Sequence, residues 1–215
     1  PMGGQRDRIV VLGRRAAGPE NRRQLIAANV DTLFIVTSCN ADFNVARIER
    51  YLALAFDAGC VPVVVLTKAD LAEDPEDFVA RTRAISPRIA DVIALNAKDQ
   101  GTLAPLSPWL TRGQTVAFVG SSGVGKSTLI AGLTGAEIAT QGIREDDAKG
   151  RHTTTSRALR RTASGAMVID MPGMREIAMH DMAEGIDDLF DDIVTLTTEC
   201  RFRDCAHDTE PGCAV

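Results

Sequence analysis

Residues Gly120 to Ser127 read Gly-Ser-Ser-Gly-Val-Gly-Lys-Ser, which fits the phosphate-loop pattern of Gly, four residues, then Gly-Lys-Ser. The apolar run 115–119 before it predicts a strand, and the spacing of apolar residues over 127–133 predicts a helix. Glycines let the backbone wrap closely, so that N–H groups of the loop and of the helix N-terminus can point at phosphate oxygens. A turn that binds nothing is the alternative, and the flanking elements argue against it. We expect phosphate binding by the loop and the first helical turn: Gly120, Ser121, Ser122, Gly123, Val124, Gly125, Lys126, Ser127 and Thr128.

Length and composition limit the possible protein classes. A chain of 215 residues with 45% hydrophobic and 25% charged residues can form one α/β core and a small appendage. No apolar run has the length of a membrane span, and the first residues lack the apolar segment of a signal peptide. We therefore expect a cytoplasmic protein without membrane contact.

The charge is unevenly distributed. The net charge of −5 argues against tight non-specific binding of nucleic acid by the whole chain. Residues 1–28 nevertheless carry +4, which leaves −9 on the rest of the chain. Two interpretations stay open for this basic arm: a local contact with RNA, or an Arg-rich surface exposed to solvent.

The order of predicted elements gives the fold class. Unbroken apolar runs of strand length alternate with segments of helical spacing, such as 44–58 and 75–83. Strands of this kind form a parallel sheet that is covered on both faces, so we predict a doubly wound, mostly parallel α/β fold over residues 29–180. Residues 14–24 are polar and predict a loop, and residues 181–199 predict an acidic helix. The predicted strands lie at 8–13, 32–37, 61–66, 91–95, 115–119 and 166–169.

Two strand ends carry motifs for reading a base. Thr67-Lys68-Ala69-Asp70 resembles the Asn-Lys-x-Asp motif of GTPases, in which a carboxylate accepts two N–H groups of the guanine edge. Adenine presents the wrong pattern there and would leave buried polar groups unpaired. Thr67 stands where Asn is usual, and the stem of Lys68 can cover the base. Asn96, Ala97 and Lys98 resemble the Ser-Ala-Lys loop of GTPases, although such a tripeptide is also a common turn.

A further strand end and the segment before it complete the nucleotide motifs. Asp170-Met171-Pro172-Gly173 resembles the Asp-x-x-Gly motif, in which Asp serves the Mg²⁺ shell and the Gly N–H meets the γ-phosphate. The run of threonines at 153–155 suits a switch segment that offers Thr154 or Thr155 to Mg²⁺, and it also suits an edge strand. The base-reading motifs precede the phosphate loop along this chain, whereas they follow it in Ras-like GTPases. The motif order is therefore that of a circularly permuted GTPase.

The last sixteen residues contain a cluster of possible metal ligands. Cys200, Cys205, His207 and Cys213 have the spacing Cys-x4-Cys-x-His-x5-Cys. Three thiolates and one imidazole suit a closed, tetrahedral and therefore structural Zn²⁺ site, which would supply folding energy to a segment too short for a core of its own. Unligated surface residues are the alternative.

Together these motifs resemble the RsgA (YjeQ) family of small-ribosomal-subunit-dependent GTPases. The resemblance rests on the permuted order, on Gly-Arg-His-Thr-Thr-Thr at 150–155, on Asp-Met-Pro-Gly and on the Cys/His segment 200–215. It implies three parts: residues 1–28 as the remnant of an N-terminal OB-fold, the permuted GTPase domain at 29–180, and residues 181–215 as the truncated start of a zinc-binding helical domain.

The resemblance also implies an activity and a partner. We expect hydrolysis of GTP to GDP with Mg²⁺, stimulated by the small ribosomal subunit and its rRNA during late maturation of that subunit, by a monomeric protein. Lys126 and Gly173 would stabilise the charge of the phosphates. Ras-like enzymes place Gln after the Asp-x-x-Gly motif to orient water, whereas Met174 stands here, so His152 is the candidate substitute. The alternatives are an RNA-binding assembly module that nucleotide merely tunes, and an ATP-specific phosphate-loop protein.

Overall fold

The computed structural model describes residues 11–15, 23–135, 158–170 and 183–215. Eight strands occur in this part of the chain: β1 (Val11–Arg15), β2 (Arg23–Ala28), β3 (Thr32–Ser38), β4 (Val61–Thr67), β5 (Asp91–Ala94), β6 (Thr115–Gly120), β7 (Ala158–Arg161) and β8 (Met167–Asp170). The α-helices are α1 (Val45–Ala58), α2 (Pro75–Arg83), α3 (Lys126–Thr134), α4 (Ala183–Leu189) and α5 (Asp191–Thr197), and 3₁₀ segments lie at Ala69–Leu71 and Gln100–Trp109.

Six of the strands form one sheet in the order β5-β4-β3-β6-β8-β7. All neighbouring pairs are parallel except the edge pair β7 and β8, which is antiparallel. The central strands β3, β4 and β6 are almost completely buried, as the unbroken apolar runs predict. The predicted doubly wound, mostly parallel α/β fold is therefore confirmed.

Two hydrophobic clusters lie on opposite faces of this sheet. Leu33 and Ile35 of β3 point to the face that α1 covers, whereas Phe34 and Val36 point to the face that α3 covers. The rings of Phe34 and Phe118 stack there with their centroids 4.8 Å apart. The chain thus leaves β3 toward one face and leaves the neighbouring β6 toward the other. Ligands of open α/β sheets bind in the crevice that such a reversal opens at the carboxyl ends of the strands.

Helix ends follow from local sequence. Asn44 caps α1 by accepting a 2.9 Å hydrogen bond from the Arg47 N–H, and Gly59 ends the helix in the left-handed region at φ 68°. Asp74 caps α2, with Pro75 in the first helical position, where its missing N–H costs nothing. The predicted spans 44–58 and 75–83 therefore agree closely with α1 and α2.

Two sequence predictions were wrong in detail. The predicted loop over 14–24 is partly strand, because Arg14 and Arg15 of β1 pair with Gln24 and Arg23 of β2 in a two-stranded antiparallel sheet. Polar residues are compatible with a strand that is paired on one edge, and hydrophobic periodicity does not detect them. The predicted helix 181–199 is divided at Phe190 into α4 and α5. Helix α4 packs on α1 through Gly185, where an added Cβ would lie 2.1 Å from the carbonyl oxygen of Ala53.

Residues that follow the predicted domain boundary at 180 pack on the α/β domain. Ile186, Leu189 and Phe190 join the cluster that covers the α1 face of the sheet. The boundaries at residues 28 and 180, and the OB-fold remnant, stay predictions. In the described part of the chain no helix is both long and apolar enough to span a bilayer.

Candidate nucleotide and metal sites

The phosphate loop leaves β6 at Gly120, and only glycine fits this position. The residue has φ 146°, and an added Cβ would lie 2.1 Å from the carbonyl oxygen of Val36 on the neighbouring strand β3. Gly123 has φ 79° and an open surrounding, whereas Val124 is buried and anchors the middle of the loop in the core. The loop therefore folds back on the sheet with Ser122 and Gly123 exposed.

The helix that follows the loop has no side-chain cap. Gly125 is its N-cap at φ 95°, and no side chain in the described part of the chain bonds to the first N–H groups. Ser127 is exposed and Thr128 is half-buried in the first turn of α3. Uncapped N–H groups and the positive end of a helix dipole favour an anion. The loop and helix thus form an arrangement that phosphate oxygens fit.

Lys126 turns back over the loop instead of extending into solvent. Its Nζ donates to the carbonyl oxygens of Gly120 at 2.7 Å and of Ser121 at 2.6 Å. Burial lowers the pKa of Lys126 from its ordinary value of 10.5 to about 8, and the nearby Asp170 carboxylate opposes this shift. An ammonium group that is buried without a fully compensating negative charge favours the binding of an anion.

Asp170 ends β8 beside β6, with its Cα paired to that of Phe118. It is half-buried, and burial raises the pKa of its carboxyl group while the charges of Lys126 and Arg160 oppose this shift. The tertiary structure thus brings Lys126 and Asp170 together, although 43 intervening residues separate them in sequence. An acidic oxygen beside the loop and the exposed Ser127 hydroxyl fit the hard oxygen ligands that Mg²⁺ requires.

Thr67 joins segment 67–70, which is predicted to read a base, to the phosphate loop. Its side chain is fully buried, and Oγ1 lies 2.5 Å from the carbonyl oxygen of Val124 and 3.1 Å from that of Thr37. Gly125 also lies near this side chain, since an added Cβ there would be 3.6 Å from Thr67 Oγ1. The replacement of Asn by Thr marked this residue in the sequence, but its bond to the loop was not predicted.

The two segments predicted to read the base, 67–70 and 96–98, lie side by side because β4 pairs with β5. The Ala69 N–H donates to the Leu95 carbonyl oxygen at 3.3 Å, which ties the segments together. Lys68 adopts a left-handed φ of 56°, and Asp70 lies exposed in the 3₁₀ turn that follows. Their side chains therefore border the same edge of the sheet as the phosphate loop.

Asn96 organises the second segment. Its Oδ1 accepts a 3.0 Å bond from the Lys98 N–H, and its carbonyl oxygen accepts a 2.7 Å bond from Thr102 Oγ1. Ala97 is buried and Lys98 is exposed. An Asx turn of this kind gives the loop a defined shape beside the Thr67 segment.

Four predicted site residues lie outside the described residues. They are His152, Thr154, Thr155 and Gly173, and their predicted roles stay predictions.

The four predicted metal ligands converge near the C-terminus. The ligand atoms of Cys200, Cys205, His207 and Cys213 all lie within 4.8 Å of one another. His207 Nδ1 is 3.5 Å from Cys200 Sγ and 3.6 Å from Cys213 Sγ. Zn–S and Zn–N bonds of about 2.3 and 2.05 Å at a tetrahedral angle require an S···N separation of about 3.6 Å. Both of these S···N separations therefore match those of a tetrahedral Zn²⁺ site.

Two neighbouring groups contact this cluster, and neither was predicted from the sequence. The Ala214 N–H approaches Cys200 Sγ with an N···S distance of 3.4 Å and holds the pKa of that thiol below its ordinary value. Glu210 accepts bonds from the N–H groups of Ala206 and Asp208, each at 3.0 Å, and the Ala206 N–H in particular lowers the pKa of its carboxyl group. These contacts orient the loop that carries the ligands.

The fold and its glycine loop define a phosphate-loop α/β protein, and its Cys₃His group could hold a metal ion. The family model described as RsgA GTPase matches residues 6–180. A relative, the small ribosomal subunit biogenesis GTPase RsgA 2 of Vibrio vulnificus (strain CMCP6), is 55% identical over 205 residues, which cover 95% of this chain and 58% of the relative.

Two solved structures share the fold. YjeQ from Thermotoga maritima superposes with a TM-score of 0.60 at 27% identity over 87% of this chain and 63% of that chain. YloQ, described as a circularly permuted GTPase, gives a TM-score of 0.60 at 28% identity over 92% of this chain and 68% of that chain.

The chain belongs to the RsgA GTPase family, as its motifs indicate, and its fold is that of the circularly permuted GTPases. It spans 58% of the length of the Vibrio relative.

Proposed function

We propose that this chain binds guanine nucleotide with Mg²⁺ and hydrolyses GTP, and that turnover accompanies late maturation of the small ribosomal subunit in the cytoplasm. The observation that carries the proposal is the bond between Thr67 Oγ1 and the Val124 carbonyl oxygen at 2.5 Å. It joins the segment that would read the base to the loop that would hold the phosphates. The name of the Vibrio relative supports the ribosomal part of the proposal.

The residues present fit a nucleotide and its cation. Lys126 and the first N–H groups of α3 would hold the phosphates, and Asp70 would accept the N–H groups of guanine beside Asn96, Ala97 and Lys98. Ser127, Asp170 and either Thr154 or Thr155 would hold Mg²⁺, which would supply positive charge beside the phosphates. His152 would orient water, and the Gly173 N–H would bond the γ-phosphate. Cys200, Cys205, His207 and Cys213 would hold one structural Zn²⁺.

Base choice gives the first experiment. Asp70→Asn replaces a carboxylate oxygen with an amide that donates, so we expect the preference for GTP over ATP in competition binding to fall about tenfold or more. Asp74→Asn is the matched control, because Asp74 caps α2 and Asn is an equally good cap. A wild-type protein that binds ATP and GTP alike would refute guanine recognition.

Turnover gives the second experiment. Single-turnover hydrolysis of GTP is measured with and without small ribosomal subunits, and we expect the subunits to accelerate it. Acceleration that persists undiminished in the His152→Ala variant would remove His152 from the mechanism. Binding to subunits that depends on nucleotide but shows no accelerated hydrolysis would favour the RNA-binding assembly module instead.

A further inference from the structure

An arginine from α1 contacts the phosphate loop. Arg47 Nη1 donates to Ser121 Oγ, a residue 74 positions later in the chain, and to Asp42 Oδ2 at 2.9 Å. About a third of the Arg47 side chain is exposed, at 32%. A guanidinium has N–H groups on Nε, Nη1 and Nη2, and both of these contacts use Nη1. Within the described residues, the N–H groups on Nε and Nη2 are therefore the ones available to a ligand.

The loop that positions Arg47 is itself well ordered by hydrogen bonds. Asn40 Oδ1 accepts from Ser38 Oγ at 2.9 Å and from the Asp42 N–H at 3.0 Å. Asn44 then caps the helix by accepting from the Arg47 N–H. The segment between β3 and α1 thus holds Arg47 at the carboxyl end of β3, next to β6 and within the crevice where ligands bind in this fold.

The contacts of the phosphate loop show which end of a nucleotide Arg47 would meet. Thr67, in the segment predicted to read the base, bonds to the second half of the loop at Val124 and lies beside Gly125. Arg47 touches the first half, at Ser121, whose carbonyl oxygen accepts from Lys126 Nζ at 2.6 Å. Because the phosphate-loop lysine reaches the β- and γ-phosphates, Ser121 lies at the terminal-phosphate end of the site.

We propose that Arg47 contacts the terminal phosphate of a bound nucleoside triphosphate and makes the site prefer GTP to GDP. The inference rests on the proposed function. A guanidinium forms charge-assisted and often bidentate bonds with phosphate oxygens, and these bonds are stronger than those between neutral groups. GDP lacks the γ-phosphate, so the arginine strengthens triphosphate binding selectively. Arg47 acts with Lys126, as a second cation supplied by a different helix.

The experiment compares equilibrium dissociation constants for GDP and for a non-hydrolysable GTP analogue. In the Arg47→Ala variant we expect the affinity for the analogue to fall about tenfold or more and the affinity for GDP to change less than about threefold. Arg50→Ala is the control, because Arg50 lies one turn further along α1 and is exposed. It should leave both constants unchanged.

A second variant separates ligand contact from support of the loop. Asp42→Asn removes the ion pair but keeps the guanidinium. The preference for triphosphate, which is the dissociation constant for GDP divided by that for the GTP analogue, should therefore stay within about twofold of the wild-type ratio. If Asp42→Asn lowers the ratio as much as Arg47→Ala does, or if Arg47→Ala weakens both nucleotides equally, the arginine only braces the loop and the proposal is overturned. An unchanged ratio in Arg47→Ala also overturns it.

A further variant serves if Arg47→Ala fails to fold. Arg47→Lys keeps the positive charge but lacks the paired N–H groups of the guanidinium. A ratio about threefold lower than in the wild type supports the proposal, and an unchanged ratio refutes it. Failure of the proposed function looks different, because the wild-type protein itself would then bind neither guanine nucleotide, and the inference would fail with it.

Discussion

Replacing Thr67 with Val removes one buried hydroxyl and changes little else. Thr67 is completely buried, and Val has nearly the same shape. The substitution leaves the Val124 carbonyl oxygen, 2.5 Å from Thr67 Oγ1, without this partner in a place that water does not reach. A buried acceptor that loses its partner costs about 1–3 kcal/mol. We expect the free energy of unfolding of the nucleotide-free protein to fall by that amount.

Urea unfolding provides the assay. Trp109, the single tryptophan, is partly buried against the cluster on the α3 face and reports on unfolding of the core. Thr67→Ser is the matched control, because it keeps the hydroxyl and should lose less than about 1 kcal/mol, the value of one buried methyl group. We further expect nucleotide to dissociate faster from Thr67→Val than from Thr67→Ser, because the phosphate loop is no longer tied to the base-reading segment. If Thr67→Val is as stable as Thr67→Ser and releases nucleotide no faster, the bond does not connect the two segments.

Three further predictions concern the loop and the metal segment. Gly120→Ala places a Cβ 2.1 Å from the Val36 carbonyl oxygen at φ 146°, so it should cost more than about 3 kcal/mol in urea unfolding, whereas Gly59→Ala, at φ 68° in open space, should cost only about 1–2 kcal/mol. The pKa of Lys126 falls from 10.5 to about 8 on folding, so the folded state favours the neutral amine, and the stability of the wild type gains from this group as the pH rises from about 8 to 10.5. Lys126→Met lacks this gain, so its free energy of unfolding relative to the wild type should drop by about 3 kcal/mol between pH 7 and pH 10.5. Urea titrations of the nucleotide-free proteins measure this difference. A difference that stays constant with pH would show that Lys126 is not desolvated. Metal analysis of the purified protein should find one zinc per chain, which Cys213→Ser loses and Cys60→Ala, outside the cluster, retains; equal zinc content in both variants would contradict the ligand assignment.

Much of the fold was readable from short stretches of sequence. The buried strands β3, β4 and β6 are apolar without interruption, and caps such as Asn44 and Asp74 mark helix starts. The predicted loop wrongly included Arg23 and Gln24, the first residues of β2, because polar residues that pair at a strand end carry no hydrophobic period. The division of α4 from α5 was also not predicted, because Phe190 leaves helical geometry at φ −112° and ψ 39° although no Gly or Pro marks a break there.

The sequence by itself determined the elements whose conformation depends on neighbouring residues. These are the glycine turn of the phosphate loop, the capped helices and the closely spaced candidate metal ligands Cys200, Cys205, His207 and Cys213. Only the tertiary structure decided which distant groups meet, such as Thr67 with Val124 across 57 positions and Arg47 with Ser121 across 74. The physical reason is that local backbone preferences act over a few residues, whereas these contacts depend on which strands become neighbours in the sheet and on the face toward which each connection leaves.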